Sequence, residues 1–387
     1  MGDTPYAVFG SDVDQEVKRQ MDAAIRLPIA VSGALMPDAH VGYGLPIGGV
    51  LATDNAVIPY GVGVDIACRM MMTVYDVPSH AITADHALYR ETIERCTRFG
   101  VGAEWRERKE HPVMEDDWNL SAVTREVKEK AHRQLGTSGS GNHFVEIVEL
   151  TVGTAELGVP PGTYVALLSH SGSRGAGAAV AAHYTRVARR RHPELEGHAK
   201  NLAWLDLDGE GAEYWAAMDL MGRYASANHH LIHDAVTRML GHAVLTQVEN
   251  HHNFAWRERH RGSTVVVHRK GATPAGTGTL GIIPGSMAAP GYVVRGLGNP
   301  SSLASASHGA GRAMSRTAAR QRFTWRETAE ELARKGVDLI SAGLDEVPGA
   351  YKDIDTVMAA QRGLALPVAS FFPRIVKMAP AGERPED

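Results

Sequence analysis

The spacing of apolar and polar positions changes along the chain, and each change marks an element. Residues 12–27 carry the three-and-four spacing of an amphipathic helix. Residues 36–66 show almost no polar periodicity; glycines alternate with short apolar runs, the pattern of buried strands joined by tight turns. RMMMTVYDV (69–77) predicts a strand, and helices follow near 83–96 and over 121–134, where Ser121 stands as N-cap before VTREVKEK. TYVALLSH (163–170) predicts a buried strand that ends on His170. Residues 176–240 are mostly helical, with RVARRRH (186–192) as a solvated face. Strands recur near 244–249, 264–269 and 291–295. A helix begins within 308–318, others fall near 325–340 and 353–361, and VASFFPRIVK closes as a strand. There is no internal repeat and no linker rich in Pro, Ser or charge. The pattern predicts one mixed α/β domain.

Composition narrows the function classes. Across 387 residues, 44% hydrophobic and 22% charged content is ordinary for a globular protein. The formal net charge of −4 excludes indiscriminate binding of polyanions through global charge, though not through a local basic groove. Two cysteines, Cys68 and Cys96, make no disulfide framework and point to a reducing compartment. The start MGDTPYAVFG lacks a basic-then-apolar leader, Tyr6 stands where a myristoylation signal has Ser or Thr, and no run of about 18 apolar residues exists. A cytoplasmic protein without a membrane span is expected.

The candidate chemistry lies in the 41 glycines and 19 histidines, which gather in the same stretches. Asp65, Cys68, His143, His170, His252 and His308 all sit at strand ends or glycine turns. Thiolate, imidazole and carboxylate together suit a borderline-soft divalent ion, Zn²⁺, Mn²⁺, Fe²⁺ or Co²⁺. The set could hold two ions sharing the cysteine, an arrangement common in phosphoryl chemistry. The spacing fits neither a zinc finger nor a metalloprotease helix. In NHHLIH (228–233), His229 and His233 stand four apart with no glycine near, and read as the face of a surface helix. SHSGSRG (169–175) and PGSM (284–287) could form anion nests, and Arg174, Arg269 and Lys270 are cations beside glycine turns. GTSGSG (136–141) lacks the lysine of a phosphate-binding P-loop, and no dinucleotide fingerprint follows a strand. In SASHGAGRAMSR (305–316), small residues leave His308 open to a bulky ligand, with Arg312 and Arg316 suited to an anion.

These stretches resemble one family, the RtcB RNA ligases. The matching motifs are MPDAHVGYGLPIGG (36–49), GVGVDIAC (61–68), LGTSGSGNHFVEI (135–147), LLSHSGSRG (167–175), NHHNFAWRE (250–258), HRKGATPAG (268–276), GIIPGSM (281–287), RGLGNPSSLASASHGAGRAMSR (295–316) and AYKDIDTVM (350–358). The resemblance implies a single α+β domain over 1–377, with β-sheets flanked by helices around a deep metal-bearing cleft, and a mobile tail over 378–387. It implies GTP- and Mn²⁺-dependent joining of RNA 3′-phosphate, or 2′,3′-cyclic phosphate, to 5′-hydroxyl ends, in RNA repair or tRNA splicing. Asp65, Cys68, His143, His170 and His252 would hold two Mn²⁺ ions, with Cys68 bridging. His308 would accept GMP, and Arg174 would hold phosphate or the RNA terminus. Asn142, Phe144, Glu146, Ser286, Gly309, Ala310, Gly311, Tyr351 and Lys377 would form the guanylate pocket with His308. An archease-type activator is a further implied partner. The chain departs from the family pattern at Arg69, His229 and Gly291, and ten residues follow Lys377. From the metal residues alone, a two-metal RNA-end phosphodiesterase or cyclic-phosphate hydrolase, or a non-catalytic RNA-end-binding protein, also stays open.

Overall fold

The glycine-rich stretch 36–66 becomes the centre of a five-stranded sheet. Ala30–Tyr43 and Leu45–Thr53 form an antiparallel hairpin that turns at Gly44. Gly44 takes a φ of +73° and presses on Asn201, where a Cβ would come within 2.9 Å of the Asn201 Cβ, so only glycine fits. The short strand Tyr6–Val8 pairs parallel on one side, and Ser263–Lys270 and then Asn253–His260 pair antiparallel on the other. The computed structural model describes residues 6–11 and 13–382.

A second, eight-stranded sheet runs in the order Leu280–Ile283, Gly291–Gly296, Ala365–Met378, Phe144–Val152, Gly162–Ser171, Arg69–Pro78, Val244–His251, with Asp338–Ser341 pairing parallel to Ala365–Met378. Its two ends come back together: the Ile282 amide donates to Asn250 Oδ1 at 3.0 Å, which nearly closes the sheet. Strands buried on both faces need continuous apolar runs, and Met70, Met72, Val148, Leu150, Ala166 and Leu168 supply one such core.

Helices cover the sheets as the periodicity predicts. Gln15–Ile25 is capped by Asp14, and Ala122–Gln134 by a reciprocal Ser121–Thr124 capping box. The long helix Glu210–Leu240 buries Tyr214, Met218, Met221 and Tyr224 against Arg174–Arg191 and the strands. The fold is the mixed α/β arrangement expected. Strands that the pattern did not mark include Phe144–Val152, Asn253–His260, Leu280–Ile283 and Asp338–Ser341, the last beginning inside the stretch read as a helix near 325–340, which stops at Lys335. The last strand runs through Met378, whose carbonyl accepts from Ser341 Oγ at 2.7 Å, and Ala379 is buried beyond it. Of the expected tail, residues 383–387 lie outside the described residues. Among the described residues, no helix is long and apolar enough to cross a membrane.

Candidate active site

Register brings four ligating side chains together. Cys68 immediately precedes the strand Arg69–Pro78, His143 immediately precedes Phe144–Val152, and His252 immediately follows Val244–His251. These strands flank or neighbour Gly162–Ser171, in which His170 pairs with both Met70 and Phe144, while Arg69 pairs with His251. The four residues therefore end up at one end of four adjacent strands. Asp65 joins them through a tight turn, closed by the Cys68 amide on the Asp65 carbonyl, in which Ala67 takes a φ of +58°.

The atoms that converge are lone pairs. Cys68 Sγ lies 3.3 Å from His143 Nε2 and 3.1 Å from His170 Nε2. His170 Nε2 lies 3.2 Å from His252 Nε2, and His143 Nε2 lies 3.1 Å from Asp65 Oδ2. Behind His170, the Asn142 carbonyl accepts from Nδ1 at 3.1 Å, which turns its bare Nε2 toward the sulfur, while His143 Nδ1 lies 3.0 Å from the Ser138 carbonyl. Burial and the neighbouring His143 push His170 down to about 3, and burial with the surrounding imidazoles holds His252 well below the ordinary histidine range. Burial opposes ionisation of Asp65, but His143, Arg174 and Cys68 outweigh it and keep a carboxylate. Acceptors packed this closely repel unless a cation sits among them. Thiolate, imidazole and carboxylate donors fit a divalent transition ion, and Cys68, His143 and His170 offer ligand atoms all within 4.8 Å of one another.

The cluster opens onto a cleft, and His308 stands on its wall. The His308 and His252 rings are 5.0 Å apart. Small neighbours do clear the space, as the sequence implied: Gly309, Ala310 and Gly311 share the wall, and Gly311 at φ +74° presses on the Asp38 carbonyl. The partner of His308 is Asp38, a residue that the sequence did not single out. Its Oδ2 accepts from His308 Nδ1 at 2.7 Å and from the His308 amide at 3.1 Å, and the side chain is fully buried. Burial opposes its ionisation, but His308, His40 and Lys352 together hold it below the usual carboxylate range. A carboxylate accepting from Nδ1 leaves the lone pair of His308 on Nε2. The signal was an aspartate inside the apolar run of MPDAH.

The model of the RtcB family, described as tRNA-splicing ligase RtcB, matches residues 20–378. The chain belongs to the RtcB family. It is 34% identical to the RNA-splicing ligase RtcB of Escherichia coli K12 over 92% of each chain. It is 32% identical to the tRNA-splicing ligase RtcB of Pyrobaculum aerophilum, over 90% of this chain and 86% of that one. The RNA-splicing ligase RtcB of Mycobacterium tuberculosis is 31% identical over 87% of this chain and 94% of its own.

Most residues expected of an RtcB site share this one cleft. Asp65, Cys68, Asn142, Phe144, Glu146, His170, His252, Ser286, His308 and Tyr351 line it, and His143 touches Cys68 from behind. Besides His143, two others do not reach the cleft wall. Lys377 lies opposite Val145 on the strand face away from the cleft, while its neighbours Val376 and Met378 face in with Glu146 and Phe144. Its ammonium donates to the Glu94 carbonyl at 3.2 Å, and burial pushes it down to about 8. Arg174 is buried with Nη2 at 3.0 Å from His143 Nδ1, behind the ligands. Other expected phosphate-holding cations already have partners. Arg269 is buried on Glu258 at 2.6 Å, and Arg312 and Arg316 pair with Glu346.

The surface-helix reading of His229 and His233 is overturned. Both are fully buried, and Ser169 Oγ lies 2.6 Å from His229 Nδ1 and 2.8 Å from His233 Nε2. Thr73 Oγ1 meets the other His233 nitrogen at 2.7 Å, so the pair bolts the long helix to two site-bearing strands. Arg69, the departure after the cysteine, is buried in an ion pair with Glu249 and donates to the Gly222 carbonyl at 3.0 Å. Gly291 also has a packing reason. A Cβ there would come within 2.2 Å of the ring of Phe371, a residue of the cleft wall.

Proposed function

We propose that the protein is an RNA ligase that joins RNA 3′-phosphate, or 2′,3′-cyclic phosphate, to 5′-hydroxyl ends through a guanylylated His308. The observation that carries this reading is the Asp38-oriented imidazole of His308, 5.0 Å ring to ring from His252 of the thiolate–imidazole cluster. His308 Nε2 attacks the α-phosphorus of GTP; the P–N bond forms, the bond to pyrophosphate breaks, and Asp38 stabilises the imidazolium character that develops. An oxygen of the RNA 3′-phosphate then takes the GMP and releases His308, giving an RNA-ppG end. The 5′-hydroxyl attacks the 3′-phosphorus of that end, forming the phosphodiester and expelling GMP. A cyclic phosphate is opened to the 3′-phosphate beforehand.

Cys68 shared between Asp65 with His143 on one side and His170 with His252 on the other would hold two Mn²⁺ ions. Bound there, they would neutralise charge on the transferring phosphate and polarise its oxygens. Glu146 supports a guanine base: buried on the cleft wall, its carboxyl, protonated in the unliganded site, gives up that proton to accept from the guanine N1–H and N2–H edge, which adenine lacks. Asn142, Phe144, Ser286, Ala310 and Tyr351 would frame the rest of the nucleotide. The reading includes a cytoplasmic setting, tRNA splicing or RNA repair as the process, and an archease-type activator as partner.

Incubation with Mn²⁺ and α-labelled GTP is expected to give a covalent adduct that is acid-labile and alkali-stable, as a phosphoramidate is. His308→Ala should abolish it. A full-strength adduct in that variant overturns the assignment.

A further inference from the structure

The hairpin Ala30–Tyr43/Leu45–Thr53 ends in an unusual feature, a rigid tip that presents an apolar aromatic ring to solvent. Tyr43 is 72% exposed and Val41, two residues earlier, 51% exposed. Exposed apolar side chains on loops are common, but here the backbone on every side is fixed. The buried Gln20 side chain donates to the Gly42 carbonyl at 2.6 Å and accepts from the Gly42 amide at 3.1 Å. The buried Lys270 ammonium donates to the Tyr43 carbonyl at 2.7 Å. Gly44 is locked against Asn201. Three side chains are thus spent on holding a ring that itself covers no core.

The position of this tip gives the ring a partner. His40 and Ile47, on the same two strands, line the catalytic cleft, and three strand residues span about 10 Å. Lys270, which holds the Tyr43 carbonyl, is followed by Gly271, and a Cβ at Gly271 would sit 3.2 Å from His308 Cε1. The tip therefore continues the hairpin that walls the cleft, three residues beyond His40. Two of the side chains that hold the tip are themselves anchored: the buried Lys270 amine lies 4.8 Å from the centroid of the Tyr60 ring, and Arg189 donates to the Asn201 side chain that packs on Gly44. An exposed flat ring on a fixed backbone, on the hairpin that also walls a phosphate-handling cleft, is the kind of platform on which bases of single-stranded nucleic acid stack.

We propose that Tyr43 is a stacking platform for a base of the RNA strand close to the end that enters the cleft. The proposal rests on the RNA-ligase reading, and its ligand is a nucleobase of any identity, because every base offers a π-face. The ring takes part in RNA holding and has no role in charging His308 with GMP.

The test compares wild type, Tyr43→Ala and Tyr43→Trp with a fluorescent single-stranded RNA bearing a 3′-phosphate, read by anisotropy, alongside the GTP-adduct assay. Tyr43→Ala should weaken RNA binding about tenfold, the loss of one stacked base, and Tyr43→Trp should restore it. Adduct formation should be the same in all three. Abasic substitution, scanned from the 3′ end, should weaken wild-type binding at one position near the terminus and have no effect there in Tyr43→Ala. Equal RNA affinity of Tyr43→Ala and wild type overturns the proposal. So does a dimeric wild type that Tyr43→Ala converts to monomer at unchanged RNA affinity, which would assign the ring to a second copy of this chain. Absence of any wild-type adduct or joining is a different result: it removes the ligase reading itself, and the platform with it.

Discussion

An imidazole attacks well from one nitrogen only when the other is committed, and Asp38 supplies that commitment to His308 at 2.7 Å. Asn at 38 keeps the shape but can donate to Nδ1, favouring the tautomer with the proton on Nε2. Asp38→Asn should therefore slow adduct formation by about 10³-fold with little change in GTP affinity, measured as rate against GTP concentration. A rate within a few fold of wild type would show that the pair only packs. Glu146 makes a second residue-scale prediction. Burial pushes it from 4.5 to about 8. Between those values the folded protein keeps a proton that the unfolded chain has released, so stability falls as pH rises through that window. Glu146→Gln has no proton to lose. Urea midpoints at pH 5, 6.5 and 8 should fall for wild type and stay flatter for the variant, which should also lose preference for GTP over ATP. Parallel curves would remove the buried-carboxyl account.

At the scale of elements, the site depends on which strands are neighbours, and this sets what the sequence could reveal. The strand ending in His170 was legible because TYVALLSH is apolar throughout, as a strand covered on both faces must be. Phe144–Val152 was not, since Glu146 and Glu149 break its run; one turns into the cleft and the other meets Arg374 at 3.5 Å. His229 and His233 show the same limit more sharply. Histidines four apart look alike on a wet face and a buried one, and the hydroxyls that settle the matter come from Ser169 and Thr73, 60 and 160 positions away. Because both hydroxyls lie in strands that carry the ligands, His233→Leu should lower stability by about 2–4 kcal/mol, through unpaired buried hydroxyls, in a denaturant titration. At low temperature the folded variant should still form the GTP adduct, unlike His170→Ala. Loss of the adduct in well-folded His233→Leu would place this histidine in the chemistry.

For the whole molecule, the question is how a chain of formal net charge −4 holds a polyanion. Strand alternation sorts the charges. Asn253 stands on the cleft wall, and the strand it begins, Asn253–His260, is the edge of the five-stranded sheet. Along it Glu258 turns in to meet Arg269, while Arg257 and Arg259 are exposed, and Arg261 is exposed at the following turn. The Arg257 guanidinium lies 5.1 Å from the centroid of the Trp215 ring, so one edge carries both charge and an aromatic face. An RNA strand leaving the cleft along this edge would meet cations although the molecule as a whole repels it. Each phosphate contact on a single strand contributes a slope of about 0.7 to the fall of log affinity with log salt. Replacing Arg257, Arg259 and Arg261 with Ser should flatten that slope by about 2, weaken RNA binding at low salt regardless of sequence, and leave GTP-adduct formation unchanged. An unaltered slope would mean that RNA leaves by another face, and that local charge on this edge serves solubility alone.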